Sequence, residues 1–240
     1  MTAKSVILTL YSLQNPAQAI ILQRFFKTGP SEYGEGDVFL GIKVPETRKV
    51  AKQYKKLPLT EIQKLLESPY HEARLCGLLI LVSQFQHEIG KKGEITSLYL
   101  ANTSNINSRD LVDLSAPNIV GNYYFELKDS SILDQLSLSN SLRERRISIV
   151  STFYFIKKGQ ASDTLRIAET LLTDQHDLIQ KAVGWMLREV YKRVDEKLIY
   201  DFLDLYATEM PRTMLRYTIE RFPEPIRLKY LHKKMESLSK

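Results

Sequence analysis

The chain has 240 residues, 43% hydrophobic and 26% charged, the proportions of an ordinary globular protein with room for a sizeable core. Lysine plus arginine number 34 against 28 acidic residues, a surplus that suits an anionic partner such as nucleic acid or a membrane surface and suits a merely solvated surface equally. Cys76 is the single cysteine, which excludes an intrachain disulfide and weighs against a cysteine-based zinc site.

The N-terminal stretch MTAKSVILTLYSLQN is interrupted by Ser12, Gln14 and Asn15 and does not read as a signal peptide. No window approaches the ~18 apolar residues of a membrane span, so no membrane association and a cytoplasmic location are expected. Apolar residues recur at helical spacing along the whole chain, and no stretch alternates with period two between turn signals. The expectation is an all-α chain of about a dozen helices joined by short loops.

Taken in order, residues 1–67 form an N-terminal helical part. Asn15 and Pro16 read as an N-cap followed by proline at the first helical position, and Ser68 and Pro69 repeat that signal. Thr28 to Asp37, TGPSEYGEGD, reads as a loop. Ser108 fits a further cap. From 68 to 222 an internal period emerges: Arg74, Asp110, Arg146, Lys181 and Arg216 are spaced 36, 36, 35 and 35 apart. Each stands near the start of an apolar helical segment (RLCGLLIL, DLVDLSA, RISIVSTF, KAVGWML, RYTIERF). Such a period, with two helices per unit, predicts a HEAT-like or armadillo-type α-solenoid in a single domain, with 223–240 as a C-terminal helix and tail. Equivalent helices would lie side by side, and the five charged residues would form a ladder along a concave basic groove.

Three residues stand out against the helical pattern. Trp185, the only tryptophan, lies far around its helix from the stripe of Ile179, Val183, Met186, Leu187 and Val190, among Lys181, Arg188 and Lys192. A ligand-facing role and packing against a neighbouring helix under lysine stems are both open. Asp110 and Asp113 lie off the arc of Leu111, Val112, Ser115 and Ile119. Asp110 complements the helix dipole in the first turn; Asp113 is too far in for that explanation to suffice. Arg146 sits on an apolar arc with Leu142, Ile149, Val150 and Phe153, so it either pairs with Asp110 or Asp113 or reaches a phosphate. Arg143, Arg145, Lys181, Arg188 and Arg216, with Lys192, Arg193, Arg212 and Arg221 near them, read as a phosphate track. The four histidines, His71, His87, His176 and His232, show no metal-ligand spacing, and phosphate-loop and nucleophile-elbow motifs are absent.

Four segments carry a resemblance: FLGIKVPETRK (Phe39 to Lys49), NSRDLVDLSAPNIVG (Asn107 to Gly121), RERRISIVSTFYF (Arg143 to Phe155) and QKAVGWMLRE (Gln180 to Glu189). Through them the chain, from about Phe25 to about Arg221, is similar to the AlkD family of HEAT-like-repeat DNA alkylation-repair glycosylases. The resemblance implies a monomer that binds double-stranded DNA without cofactor or metal and removes N3- and N7-alkylated purines. It implies Asp113 as the catalytic carboxylate and Arg146 near the lesion's backbone. Trp185 would be a cleft tryptophan, and Phe26, or alternatively Phe25, an N-terminal aromatic. Where the family carries a second tryptophan, four residues before the aspartate, this chain has Arg109. That exchange removes a cation–π face of roughly 0.5–2 kcal/mol and puts a positive charge where a cationic lesion would sit. An i+4 pair between Arg109 and Asp113 is a further expectation.

Three functions therefore compete. The first is a glycosylase in which Asp113 stabilises positive charge on the sugar, Trp185 packs on the lesion and Arg146 holds a phosphate. The second is a non-catalytic DNA-binding solenoid with a degenerate site, which Arg109 favours. The third is a protein-binding scaffold, against which the basic ladder and Trp185 argue.

Overall fold

The computed structural model describes residues 1–238 other than Ser31 and Tyr33. Those two residues of the expected 28–37 loop, and Ser239 and Lys240 of the expected tail, lie outside the described residues. Among the described residues the chain is all-helical, its one β feature being an isolated bridge between Val38 and Tyr70. It divides into two compact units, Met1–Tyr123 and Tyr124–Lys240. No helix among the described residues is long and apolar enough to cross a membrane.

The first unit contains α1 (Ala3–Tyr11), α2 (Pro16–Phe25), α3 (Val44–Gln53), α4 (Leu59–Leu66), α5 (His71–His87), α6 (Lys92–Ala101) and α7 (Arg109–Ser115); α8 (Asn122–Leu127) begins at its end. α5 is the centre of the unit and packs on α3, α4 and α7. Its core includes Leu78, Leu81 and Phe85 together with Ile62, Leu65 and Leu66 of α4, all buried. Asn15 caps α2 as expected, its side chain accepting the Gln18 N–H at 3.1 Å. The Ser68–Pro69 signal starts no helix: α5 begins at His71, and the Ser68 hydroxyl accepts the Tyr70 N–H at 3.2 Å in the turn before it. Ser108 occupies the cap position of α7 without a side-chain capping bond, because its hydroxyl is turned to Asp110.

The second unit contains α9 (Ser131–Ser137), α10 (Leu142–Lys157), α11 (Ser162–Thr170), α12 (Asp177–Arg193), α13 (Glu196–Tyr206), α14 (Arg212–Thr218) and α15 (Glu224–Leu238). Here α10, α12 and α14 stack in succession, while α9 and α11 pack against α10 and α13 against α12. This is the two-layer stacking of a HEAT-like repeat. The predicted stripe of α12, Ile179, Val183, Met186, Leu187 and Val190, is buried. Arg74, Asp110, Arg146, Lys181 and Arg216 fall within the first five residues of α5, α7, α10, α12 and α14, one on each.

Candidate functional site

α7 carries both candidate carboxylates. Leu111, Val112 and Ser115 turn into the core, and Asp113 stands half-buried on another side of the helix. Asp110 stands in the first turn of α7, as expected, and has side-chain partners there as well. His71 Nε2 lies 2.9 Å from one Asp110 oxygen, and the Ser108 hydroxyl donates to the other. The second ring nitrogen of His71 lies 3.4 Å from Asp37. Asp37 in turn accepts Arg74 at 2.6 Å and the Asn107 amide at 2.6 Å. The Arg74 guanidinium also donates to the Ser68 carbonyl at 2.7 Å. Asp37, His71 and Arg74 are all buried. Arg74 is therefore no rung of an open ladder; it is the buried counter-ion of a loop.

The electrostatics follow from that arrangement. Burial alone would push the His71 pKa down, but hydrogen bonds and charges from Asp110 and Asp37 overcome it and raise it to about 9. Burial would raise Asp37, but the His71 hydrogen bond, Arg74 and Asn107 hold it below the ordinary carboxylate value. Asp110 is lowered likewise: His71 and Ser108 outweigh its burial. Two cations thus face two carboxylates, joining the loop before Val38 to the first turns of α5 and α7.

Next to His71, Glu72 fixes the following stretch of chain. Its buried carboxylate accepts the N–H groups of Leu40, Gly41 and Ile42 at 2.9, 2.8 and 3.1 Å. Gly41 has φ of +80°, and a Cβ there would lie 2.1 Å from the Asn15 carbonyl oxygen, so only glycine fits. At the far end of α7, Pro117 has no N–H to offer the Asp113 carbonyl four residues back. The chain widens into a π-helical segment, Pro117–Gly121, in which the Gly121 N–H reaches the Ala116 carbonyl at 2.9 Å. Wide turns of this kind recur beside functional residues, and this one begins a turn after Asp113.

The N-terminal aromatics divide between core and surface. Phe26 is buried and stacks on Phe39 at 5.1 Å, which stacks on His71 at 4.4 Å. These rings line a cavity of about 310 Å³ with Leu22, Ile42 and Leu75, and Asp110 also lines it. Phe25 is 59% exposed. The Arg109 guanidinium lies over its ring, 4.8 Å from the centroid. Arg109, expected to reach for Asp113, has an aromatic partner instead.

In the second unit, Arg146 is buried and donates to the Leu178 carbonyl at 2.6 Å, tying α10 to the first turn of α12. Trp185 is half-buried, its ring 5.8 Å from Phe153. Lys157 and Arg193 approach the Phe153 ring at 4.6 and 5.6 Å, so an aromatic pair stands among cations. The candidate phosphate track is interleaved with carboxylates. Arg145 pairs with Asp174 at 2.7 Å, Lys181 with Asp177 at 2.6 Å, and Arg188 with Glu220. Arg143 is half-buried and Arg216 exposed. Among the described residues no group of three histidine, cysteine, aspartate or glutamate side chains is placed to hold a metal ion.

Stacked helix pairs of this kind define an α-solenoid of the HEAT-like class. The chain belongs to the DNA alkylation repair enzyme family, whose model matches residues 6–222. That membership gives it a role in repair of alkylated DNA and points to DNA as its partner. A solved structure titled as a predicted DNA alkylation repair enzyme from Enterococcus faecalis is similar in fold. It has a TM-score of 0.69 and 17% identity and covers 88% of this chain and 97% of that one. No curated protein matches the sequence at a significant level.

Proposed function

We propose that the chain is a DNA glycosylase that hydrolyses the N-glycosidic bond of N3- and N7-alkylated purines in duplex DNA. The observation that carries this reading is a family member's half-buried Asp113 on a short helix anchored at its start by the His71–Asp110 pair. An alkylated purine of this type is cationic, so its bond to the sugar is already weak. The C1′–N bond breaks with its electron pair going to the base, which departs neutral, and positive charge develops on the sugar. Asp113 stabilises that charge and orients a water molecule. The water oxygen bonds to C1′ and its proton passes to the carboxylate, leaving an abasic sugar. Trp185 packs on the lesion or its sugar. Arg146 supports α12 through Leu178 and offers its guanidinium to a phosphate, while Arg143 and Arg216 hold the backbone. Location in the cytoplasm and a monomeric state belong to the same proposal.

A second reading is favoured by one observation: the Arg109 guanidinium over Phe25. A cation there repels a cationic base, which leaves a DNA-binding solenoid without excision. Release of 3-methyladenine and 7-methylguanine from methylated duplex DNA, measured beside duplex binding, separates the two. Release with binding supports the glycosylase; binding without release supports the second reading.

A further inference from the structure

The proposed chemistry draws on α7, α10 and α12 and leaves α3 without a role. Its sequence, continued past its end, is PETRKVAKQYKK, and Arg48, Lys52 and Lys55 fall at i, i+4 and i+7 on one side. The three line a depression of about 180 Å³ with Ala51 of α3 and with Leu79 and Ser83 of α5. Nearer its start, α3 faces the start of α5 across the larger cavity, through Val44 and Pro45 on one side and His71 and Leu75 on the other. The two helices therefore run in the same direction. Cavity and depression follow one another along the furrow between them, with Asp110 at the cavity end.

The charges in this furrow resemble Arg143 and Arg216 of the second unit, which form no ion pair among the described residues, and differ from the paired cations there. Arg145, Lys181 and Arg188 each have a carboxylate partner. Lys49, which does not line the depression, is paired with Glu46 at 2.9 Å. Among the described residues, Arg48, Lys52 and Lys55 form no ion pair. Three cations around one depression repel each other, and an array of anions relieves that repulsion. From Arg48 to the helix end at Gln53 the rise of ~1.5 Å per residue gives about 7.5 Å, and Lys55 follows in the turn just beyond. Successive phosphates of one DNA strand advance ~3.4 Å along the duplex axis, so about three of them meet this length.

We propose that the α3–α5 furrow is a phosphate-binding strip that holds the DNA backbone beside the lesion. Arg48, Lys52 and Lys55 each neutralise one phosphate, and the Ser83 hydroxyl donates to one of them. The inference rests on reading the chain as a duplex-binding repair enzyme. It adds a contact surface on the first unit to the track on the second. Arginine would grip its phosphate through two N–H groups, the lysines as point charges.

The test is the salt dependence of binding to a fluorescent duplex, for the full chain and for Arg48→Gln/Lys52→Gln/Lys55→Gln. Three lost contacts should lower the slope of log K against log salt by about 2.7 and affinity near 0.1 M salt on the order of 10²-fold. Arg48→Gln alone should lower the slope by about 0.9, Arg48→Lys should keep it, and Lys49→Gln should change nothing. Circular dichroism checks that each variant is folded. A triple variant with unchanged slope overturns the furrow, whatever its affinity. If Arg143→Gln/Arg216→Gln loses binding while the triple variant keeps it, only this inference fails. If the unaltered chain binds no duplex, the furrow and the proposed function fail together.

Discussion

Removing the charge of His71 should cost the first unit about 3 kcal/mol and should change how its stability depends on pH. The side chain is 2% exposed and has a carboxylate on each ring nitrogen, Asp110 at 2.9 Å and Asp37 at 3.4 Å. Its pKa rises from the ordinary 6.5 to about 9, a preference for the folded state of about 3 kcal/mol. Because the folded value is the higher one, this stabilisation is fully present below pH 6.5 and is lost as pH rises through about 9. In between, the folded chain holds one more proton than the unfolded chain, and stability falls by ~1.4 kcal/mol per pH unit. Asp37 and Asp110, both lowered, contribute with the opposite sign: their share is lost as pH falls through the acid range. His71→Gln leaves Asp37 with Arg74 and Asn107, and Asp110 with Ser108, but removes the shared cation. Urea unfolding followed by NMR signals of α5 and α7 at pH 6, 7, 8 and 9 measures both effects, and a ring-proton titration gives the His71 midpoint directly. A midpoint at or below 6.5, or a variant whose stability falls with pH as the unaltered chain's does, refutes the reasoning.

Other perturbations test separate parts of the account. Glu72→Gln keeps the shape but loses the charge that receives three backbone N–H groups, at a cost of about 2 kcal/mol; faster hydrogen exchange at Leu40, Gly41 and Ile42 would report it. Gly184→Ala would place a Cβ 2.5 Å from the Tyr217 Cβ and 2.6 Å from the Met214 carbonyl oxygen, forcing α12 and α14 apart. A loss of about 2–3 kcal/mol is expected in thermal unfolding followed by Trp185 fluorescence. Arg109→Trp should raise the single-turnover excision rate about tenfold or more if the cation repels the lesion. If binding weakens and the rate does not rise, Arg109 is a phosphate contact instead.

The helices and their period were legible because burial of one face per helix writes a 3.6-residue pattern into the chain. The α12 stripe, and the placement of the five periodic residues near helix starts, come straight from that pattern. What the period does not reveal is which way a charged residue faces. Arg74 and Arg146 occupy ladder positions yet are buried, because each finds a partner in another element: Asp37 for one, the Leu178 carbonyl for the other. The His71 cluster could not be assembled from the sequence, although Arg74 and Asp110 stood out singly, since its members are drawn from the loop at Asp37, the turn before α7 and two helices. His71 read only as a histidine without metal spacing. Phe25 and Phe26 could not be told apart by pattern, because at the end of α2 adjacent residues differ only in which neighbour reaches them. The cations of the α3 furrow did not stand out in the sequence, because what gathers them into one depression is Leu79 and Ser83 of α5, about 30 residues further on.

The most direct test of the proposed activity is single-turnover release of 3-methyladenine and 7-methylguanine by the unaltered chain and by Asp113→Asn, with duplex affinity measured in parallel. The account predicts release by the unaltered chain. Asp113→Asn should release neither base while binding DNA at least as tightly, because a negative charge has been taken from a surface that holds phosphates. Release that survives Asp113→Asn, or no release by the unaltered chain when it binds duplex DNA, would contradict it.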